Sequence, residues 1–156
     1  MKTYNLLENS DFAKLITEGS RLLGIDPGKR NVGIAICDSS HLIATPYKTI
    51  QAKKLKNLLE ELDKIIIEND IKGIVVGHPI NMDGTEGPRS QSTKDFVKNI
   101  TKHTHLPVTL WDERLSSAGA FKSMQDLGIN SSSKKNKLDE NSAAFILQGF
   151  IDYLKK

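Results

Sequence analysis

Three acidic positions stand where apolar runs of this chain give way to polar ones. Asp26 ends the run Leu22–Ile25 and precedes Pro27 and Gly28. Asp112 and Glu113 follow Val108–Trp111. Asp139 lies four residues before Ala143 in the last apolar pattern of the chain. An aspartate closing a central strand lies at the strand's C-terminal edge, where α/β proteins place ligands. Adjacent side chains of a strand point to opposite faces, so one of Asp112 and Glu113 faces Asp26, and the spacing leaves open which. A spacing of four places Asp139 on the same helix side as Ala143, toward the sheet. Each acid alone has a plain structural reading as a turn aspartate, a polar strand end or an N-cap. Taken together they form a coherent site. Three gathered carboxylates repel one another unless a cation neutralises them. All-oxygen ligands suit Mg²⁺ or Mn²⁺. Two such ions about 4 Å apart can activate a water and stabilise the leaving oxygen of a phosphodiester.

The elements needed to position these acids are legible in the hydrophobic periods. Arg21–Asp26, Asn31–Asp38 and Leu42–Ile50 read as three strands with short connections, which favours an antiparallel meander. Leu55, Leu58, Leu59, Leu62, Ile65 and Ile66 then recur at helical spacing. Ile71–Gly77 is a continuous apolar run suited to a buried parallel strand. His78–Arg89 reads as a loop, Ser90–His103 as a helix, Pro107–Asp112 as a strand and Ser116–Leu127 as a helix. Asn130–Lys137 reads as a polar, basic loop before a final helix with Ala143, Leu147, Phe150, Ile151 and Leu154 on its apolar face. The expectation is an α/β fold: a mixed five-stranded sheet, a three-stranded antiparallel meander plus parallel strands, flanked by helices. Residues 1–20 read as an N-terminal appendage with a short helix through Ile16. Residues 21–156 form one domain, the size expected of a single core.

Composition narrows the classes. Of 156 residues, 38% are hydrophobic and 26% charged, an ordinary globular balance. No apolar run approaches the roughly 20 residues that cross a bilayer, and no secretory pattern opens the chain, so a cytoplasmic protein without membrane contact is expected. A net charge of +3 permits nucleic-acid binding without requiring it. Cys37 is the only cysteine and reads as a buried structural thiol. His103 and His105 read as surface residues, because no second ligand pair accompanies them for zinc. A P-loop is excluded by spacing, since three residues, not four, separate Gly24 from Gly28, and Arg30 follows Lys29.

Four segments together resemble the YqgF/RuvX family. Leu-Gly-Ile-Asp-Pro-Gly-Lys-Arg-Asn-Val-Gly-Ile-Ala from Leu23 to Ala35 is similar to its first motif. Val-Gly-His-Pro-Ile-Asn-Met-Asp-Gly-Thr-Glu-Gly from Val76 to Gly87 is similar to its second. Trp-Asp-Glu-Arg-Leu-Ser from Trp111 to Ser116 resembles its Asp-Glu-Arg motif. Leu-Asp-Glu-Asn-Ser-Ala-Ala from Leu138 to Ala144 resembles its last. The segments occur in the family's order and cover the chain after Ser20. His78 departs from the family, which commonly has an apolar residue there.

The resemblance implies an RNase H-like nuclease acting on the 5′ end of 16S ribosomal RNA precursor, with Holliday junction resolution as the alternative. It implies Asp26, Glu113 (or Asp112) and Asp139 as the catalytic, metal-holding acids, with two Mg²⁺ or Mn²⁺ ions. Arg30, Arg114 and the lysines around Lys135 would meet phosphates; Lys29, Lys134 and Lys137 complete that basic set. The expected partner is nucleic acid, precursor RNA before branched DNA, bound by a monomer or weak homodimer. Two rivals stand beside this reading. A nucleotide-binding actin-like fold needs two such domains, and the chain has room for one. A non-catalytic nucleic-acid-binding protein would keep RNA affinity without metal or Asp26.

Overall fold

The computed structural model describes residues 5–17, 19–28, 30–51, 53–79, 84–113 and 135–155, excepting the side chains of Arg89 and of residues 135–140. Among these residues six strands form one sheet: β1 (Leu6–Leu7), β2 (Arg21–Pro27), β3 (Asn31–Cys37), β4 (Ala44–Gln51), β5 (Ile71–His78) and β6 (Val108–Asp112). Four helices accompany them: α1 (Asn9–Leu15), α2 (Leu55–Glu68), α3 (Pro88–His103) and α4 (Lys135–Leu154). The sheet order is β1-β6-β5-β2-β3-β4.

The meander forms as its short connections require. β2 pairs antiparallel with β3, and β3 with β4. β5 then joins β2 in parallel after the α2 crossover, and β6 joins β5 in parallel after α3. The C-terminal ends of β2, β5 and β6 therefore lie side by side, the arrangement that places ligands at one edge of an α/β sheet.

Two apolar layers cover the sheet. On one face Leu23, Ile25, Val32, Ile34, Ile74, Val76 and Val108 pack with Leu58, Leu62 and Ile65 of α2 and with Val97 and Ile100 of α3. On the other, Leu22, Ala35, Cys37, Val75 and Trp111 pack with Ala143, Ile146, Leu147 and Phe150 of α4 and Phe12 of α1. Alternation along each strand sorts the side chains between these layers. Fully burying one such Leu, Ile or Phe contributes about 1.5–3 kcal/mol.

The sheet has six strands rather than the five expected. The sixth, β1, pairs in parallel with β6, Leu6 against Val108 and Leu7 against Thr109. The amide nitrogen of Val108 donates to the Asn5 carbonyl at 2.8 Å, and Asn5 Nδ2 donates to the carbonyls of Thr104 and Leu106. Behind β1, Phe12 is fully buried, its ring edge-on to Phe150 at 5.3 Å. Residues that read as an appendage thus close the β6 edge. α1 starts at Asn9 with Glu8 at its N-cap, and no side chain caps it.

Other boundaries move for local reasons. β5 continues through His78, and α3 starts at Pro88, whose missing N–H costs nothing at a first helical position. α4 starts at Lys135, so Lys135 and Lys137, read as loop residues, belong to a helix. The helix expected over residues 116–127 lies outside the described residues. Cys37 is buried, and its Sγ accepts the Leu22 amide at 3.3 Å. Burial pushes this thiol's pKa up, which suits a structural thiol rather than a nucleophile.

Candidate active site

Alternation along the strands gives Asp26 of β2 and Glu113, just past β6, the α4 face of the sheet at its C-terminal edge. Asp26 continues the series Leu22, Gly24, Asp26, and this series faces α4. A Cβ added at Gly24 would lie 2.7 Å from Leu147 Cβ and 3.0 Å from the Ala143 carbonyl oxygen. The glycine lets α4 sit directly on β2. Asp26 stands one residue beyond the Ile25–Val76 pair, next to Gly77 of β5, and opposite Gly33 of β3. It is half-buried.

Glu113 reaches the same place from the other side. β5 pairs Gly77 with Trp111 and His78 with Asp112. Trp111 belongs to the α4 layer, with its ring 5.6 Å from Phe150. The residue two further on should share that face. Glu113 Oε1 indeed lies 2.9 Å from where a Gly77 Cβ would stand, beside the side chain of Ile146 in α4. β2 and β6 flank β5, two strand spacings or about 10 Å apart. A glycine between them leaves the gap over β5 open to both carboxylates. Gly77 was given no role by the sequence reading, although a glycine inside a buried apolar strand is a signal of close approach.

Asp112 falls on the opposite face. Its register partner His78 follows Ile74 and Val76, which pack in the α2–α3 layer. The alternative left open by the sequence is thereby resolved by geometry: Glu113, and not Asp112, shares the Asp26 face.

Asp139 lies in the first turns of α4, four residues before Ala143, whose carbonyl oxygen abuts Gly24. Its backbone is thus one helical turn from the contact that seats α4 on β2. Its carboxylate is outside the described side chains. No group of three or more His, Cys, Asp or Glu that could hold a metal occurs among the described residues. Two of the three expected acids therefore share one face of the sheet edge by alternation, and of the third only the backbone is described.

The basic residues divide similarly. Arg30 is exposed in the β2–β3 turn beside Asp26. Lys29, Arg114 and Lys134 lie outside the described residues, and Lys135 and Lys137 have described backbone only. The two histidines of the α3–β6 connection are exposed, and His103 Nε2 meets Asp63 Oδ2 of α2 at 2.7 Å. That contact ties two helices together away from the acids.

The α3 face carries a group that the sequence reading did not assemble. His78 Nε2 is 2.6 Å from Ser90 Oγ and 3.9 Å from Glu86 Oε1, while Lys94 Nζ donates to Glu86 Oε2 at 2.6 Å. Lys94 holds the Glu86 carboxyl below the usual glutamate pKa, with a further contribution from His78. Ser90 is wholly buried, so this serine–histidine pair cannot serve as a nucleophile toward a polymer substrate.

Comparison with known proteins identifies the family and the fold. The family model described as "RuvX: Holliday junction resolvase" matches residues 20–153. A protein of Pelagibacter ubique named "Putative pre-16S rRNA nuclease" is 48% identical over 144 residues, covering 92% of this chain and 95% of the relative. A protein of Rhodobacter capsulatus with the same name is 42% identical, with 92% and 91% covered. Among solved structures, T. thermophilus RuvC in complex with Holliday junction substrate matches with a TM-score of 0.55 at 12% identity, covering 86% of this chain and 96% of RuvC. The yeast mitochondrial Holliday junction resolvase Ydc2 matches with a TM-score of 0.54 at 14% identity, covering 94% and 84%. At these identities the structural matches speak to the fold, and they confirm the RNase H-like layout. The chain belongs to the RuvX family.

Proposed function

We propose that this protein is a metal-dependent nuclease that hydrolyses phosphodiester bonds, with the 5′ region of precursor 16S ribosomal RNA as its substrate. The observation that carries the reading is Glu113 Oε1 lying over Gly77, on the face that alternation along β2 gives to Asp26. Carboxylates on the strands either side of a glycine offer a donor set of hard oxygens, which fits Mg²⁺ or Mn²⁺ better than a softer ion. Asp26, Glu113 and Asp139 would hold the metal. When bound, it would supply charge stabilisation of the phosphoryl oxygens and a more acidic water. Arg30, at the turn beside Asp26, would meet the phosphate backbone, as would Lys29, Arg114, Lys134, Lys135 and Lys137.

The names of the relatives support RNA processing over junction cleavage, because those relatives cover nearly the whole chain at much higher identity. Junction resolution is the second reading, supported by the description of the matching family. A protein working in the cytoplasm suits either. Among the described residues no helix is long and apolar enough to cross a membrane.

The test is cleavage of labelled 16S precursor RNA and of a four-way DNA junction, with Mg²⁺ or Mn²⁺, by wild type and Asp26→Asn. Metal-dependent cutting of the RNA, lost in the variant, is expected. Cutting of the junction alone would transfer the assignment to resolution. Binding without cutting, equal in both proteins, would defeat the nuclease. Affinity should also fall steeply with salt, because phosphate contacts release counterions.

A further inference from the structure

We propose that His78 is a positioning residue for nucleic-acid binding, latching the segment Gly84–Gly87 and the start of α3 to the end of β5 beside the candidate site. The inference rests on the reading above. Its basis is a polar group buried where the fold would accept an apolar one.

His78 lies at the C-terminal edge of β5 and is 9% exposed. Its neighbours in the strand, Ile74 and Val76 on the same face, are apolar and fully buried. A polar ring in such a layer is destabilising unless its nitrogens are satisfied. Nε2 meets Ser90 Oγ at 2.6 Å, and Ser90 is itself fully buried in the first turn of α3. The amide of Ser90 donates to the Gly87 carbonyl, so the serine fixes the last residue before the helix as well. Glu86 approaches the same Nε2 and is held from behind by Lys94, four residues after Ser90 in α3. Gly84 adopts φ +88°, a left-handed conformation that turns the segment toward these contacts.

The latch adjoins the reactive edge in two ways. His78 follows Gly77, the residue under Glu113 Oε1. It is also paired in register with Asp112, which precedes Glu113. Fixing His78 therefore fixes the end of β5 and aligns the start of α3 along the same sheet edge. A nucleic-acid strand bound at Asp26 and Glu113 would lie along this same sheet edge. Held rigidly, the segment adds contacts without a fresh ordering cost at binding. An apolar residue would fill the space but would leave Ser90 Oγ without this partner and the segment untied.

The decisive experiment compares wild type with His78→Leu, His78→Gln and Ser90→Ala. Dissociation constants for a labelled precursor RNA spanning the mature 5′ end are measured beside thermal midpoints, with Mg²⁺-dependent cutting recorded separately. His78→Leu and Ser90→Ala should weaken binding about 3- to 10-fold, the scale of one buried hydrogen bond. His78→Gln places an amide near the position of Nε2 and should recover most of the affinity. A purely structural role predicts no such recovery, because affinity would follow the thermal midpoint. Unchanged affinity in His78→Leu and Ser90→Ala would overturn the latch, as would a glutamine variant no better than leucine. Wild type that neither binds nor cuts RNA or the DNA junction would remove the functional reading itself, and the latch with it. Wild type that cuts while all variants bind equally removes the latch alone.

Discussion

The two faces of the sheet edge use carboxylates in opposite ways. On the α4 face, Glu113 Oε1 lies over Gly77, with Asp26 on the neighbouring strand β2. On the α3 face, Glu86 is neutralised by Lys94 at 2.6 Å, and Asp112 stands level with His78. Like charges brought together destabilise a fold unless something is bound there. An ion pair with its own hydrogen bonds needs nothing further. On the proposed reading, the acids of the α4 face are arranged for a ligand and Glu86 for the fold, although Asp112 and Glu113 are neighbours in sequence.

The largest test of that contrast is the set Asp26→Asn, Glu113→Gln and Asp112→Asn. Each removes charge with little change of shape. The first two should lower metal-dependent cutting by about 10²–10⁴-fold, the range seen when a positioned acid or base is lost. Asp112→Asn should cost about 10-fold, the low end of the range for a residue that orients rather than reacts. A rate for Asp112→Asn as low as that for Glu113→Gln would erase the distinction between the faces.

Much of this arrangement could be read before the structure was known. The meander, α2 and the parallel strand β5 followed from hydrophobic period and length, because each buries a regular stripe or run. β1 could not be read that way. Two residues carry no period, and what defines the strand is its pairing with β6 about a hundred positions away. The choice between Asp112 and Glu113 was also hidden. Leu110 and Trp111 are both apolar, so alternation alone cannot say which faces α4. The ring of Trp111 packing on Phe150 decides it. His78 looked like the start of a loop, because its partner Ser90 lies twelve residues on, across a turn. The helix around Ala143, with Asp139 four residues before it, was visible because its spacing is local.

Gly77→Ala sharpens the comparison from beneath. The new methyl group would press on Ile146 and lie 2.9 Å from Glu113 Oε1. Overpacking of this kind costs about 1–3 kcal/mol. Displacing the carboxylate should lower cutting by a further 10- to 100-fold, since roughly 1 Å of misplacement can cost the upper figure. Gly24→Ala is the control. Its methyl group would stand 2.7 Å from Leu147 Cβ, with no carboxylate among its nearest atoms. It should lower the thermal midpoint comparably while costing less activity. Equal activity losses would mean that Gly77 matters only for packing.

Acidification should weaken the exposed carboxylate pairings whose pKa values are depressed. The Glu86 pKa is lowered by the Lys94 hydrogen bond. A carboxyl whose folded pKa is depressed gives its full contribution above its ordinary pKa and loses it as pH falls through the folded value. The same sign holds for Asp38, whose carboxylate accepts the amides of Ile43 and Leu42 in the β3–β4 turn and is lowered chiefly by Ile43. The thermal midpoint should therefore be flat near neutrality and fall below the usual carboxylate range. Asp38→Asn and Glu86→Gln should each make that fall shallower. A fall of unchanged depth in both variants would show that neither pairing contributes.

The smallest effect concerns Lys94, and it distinguishes a shielded cation from a working one. Glu86 occupies the Lys94 ammonium at 2.6 Å, in a pair that is largely open to solvent. Such pairs contribute little to stability, so Glu86→Gln should barely move the thermal midpoint near pH 7. It would nevertheless release one positive charge beside the edge where the nucleic acid is proposed to lie. If that charge reaches a phosphate, RNA affinity should rise, and its dependence on log salt should steepen by about one. Glu86→Gln combined with Lys94→Ala should return the slope to that of wild type. A slope unchanged by Glu86→Gln would place Lys94 beyond reach of the backbone, leaving the ion pair to hold the segment Gly84–Gly87 and nothing more.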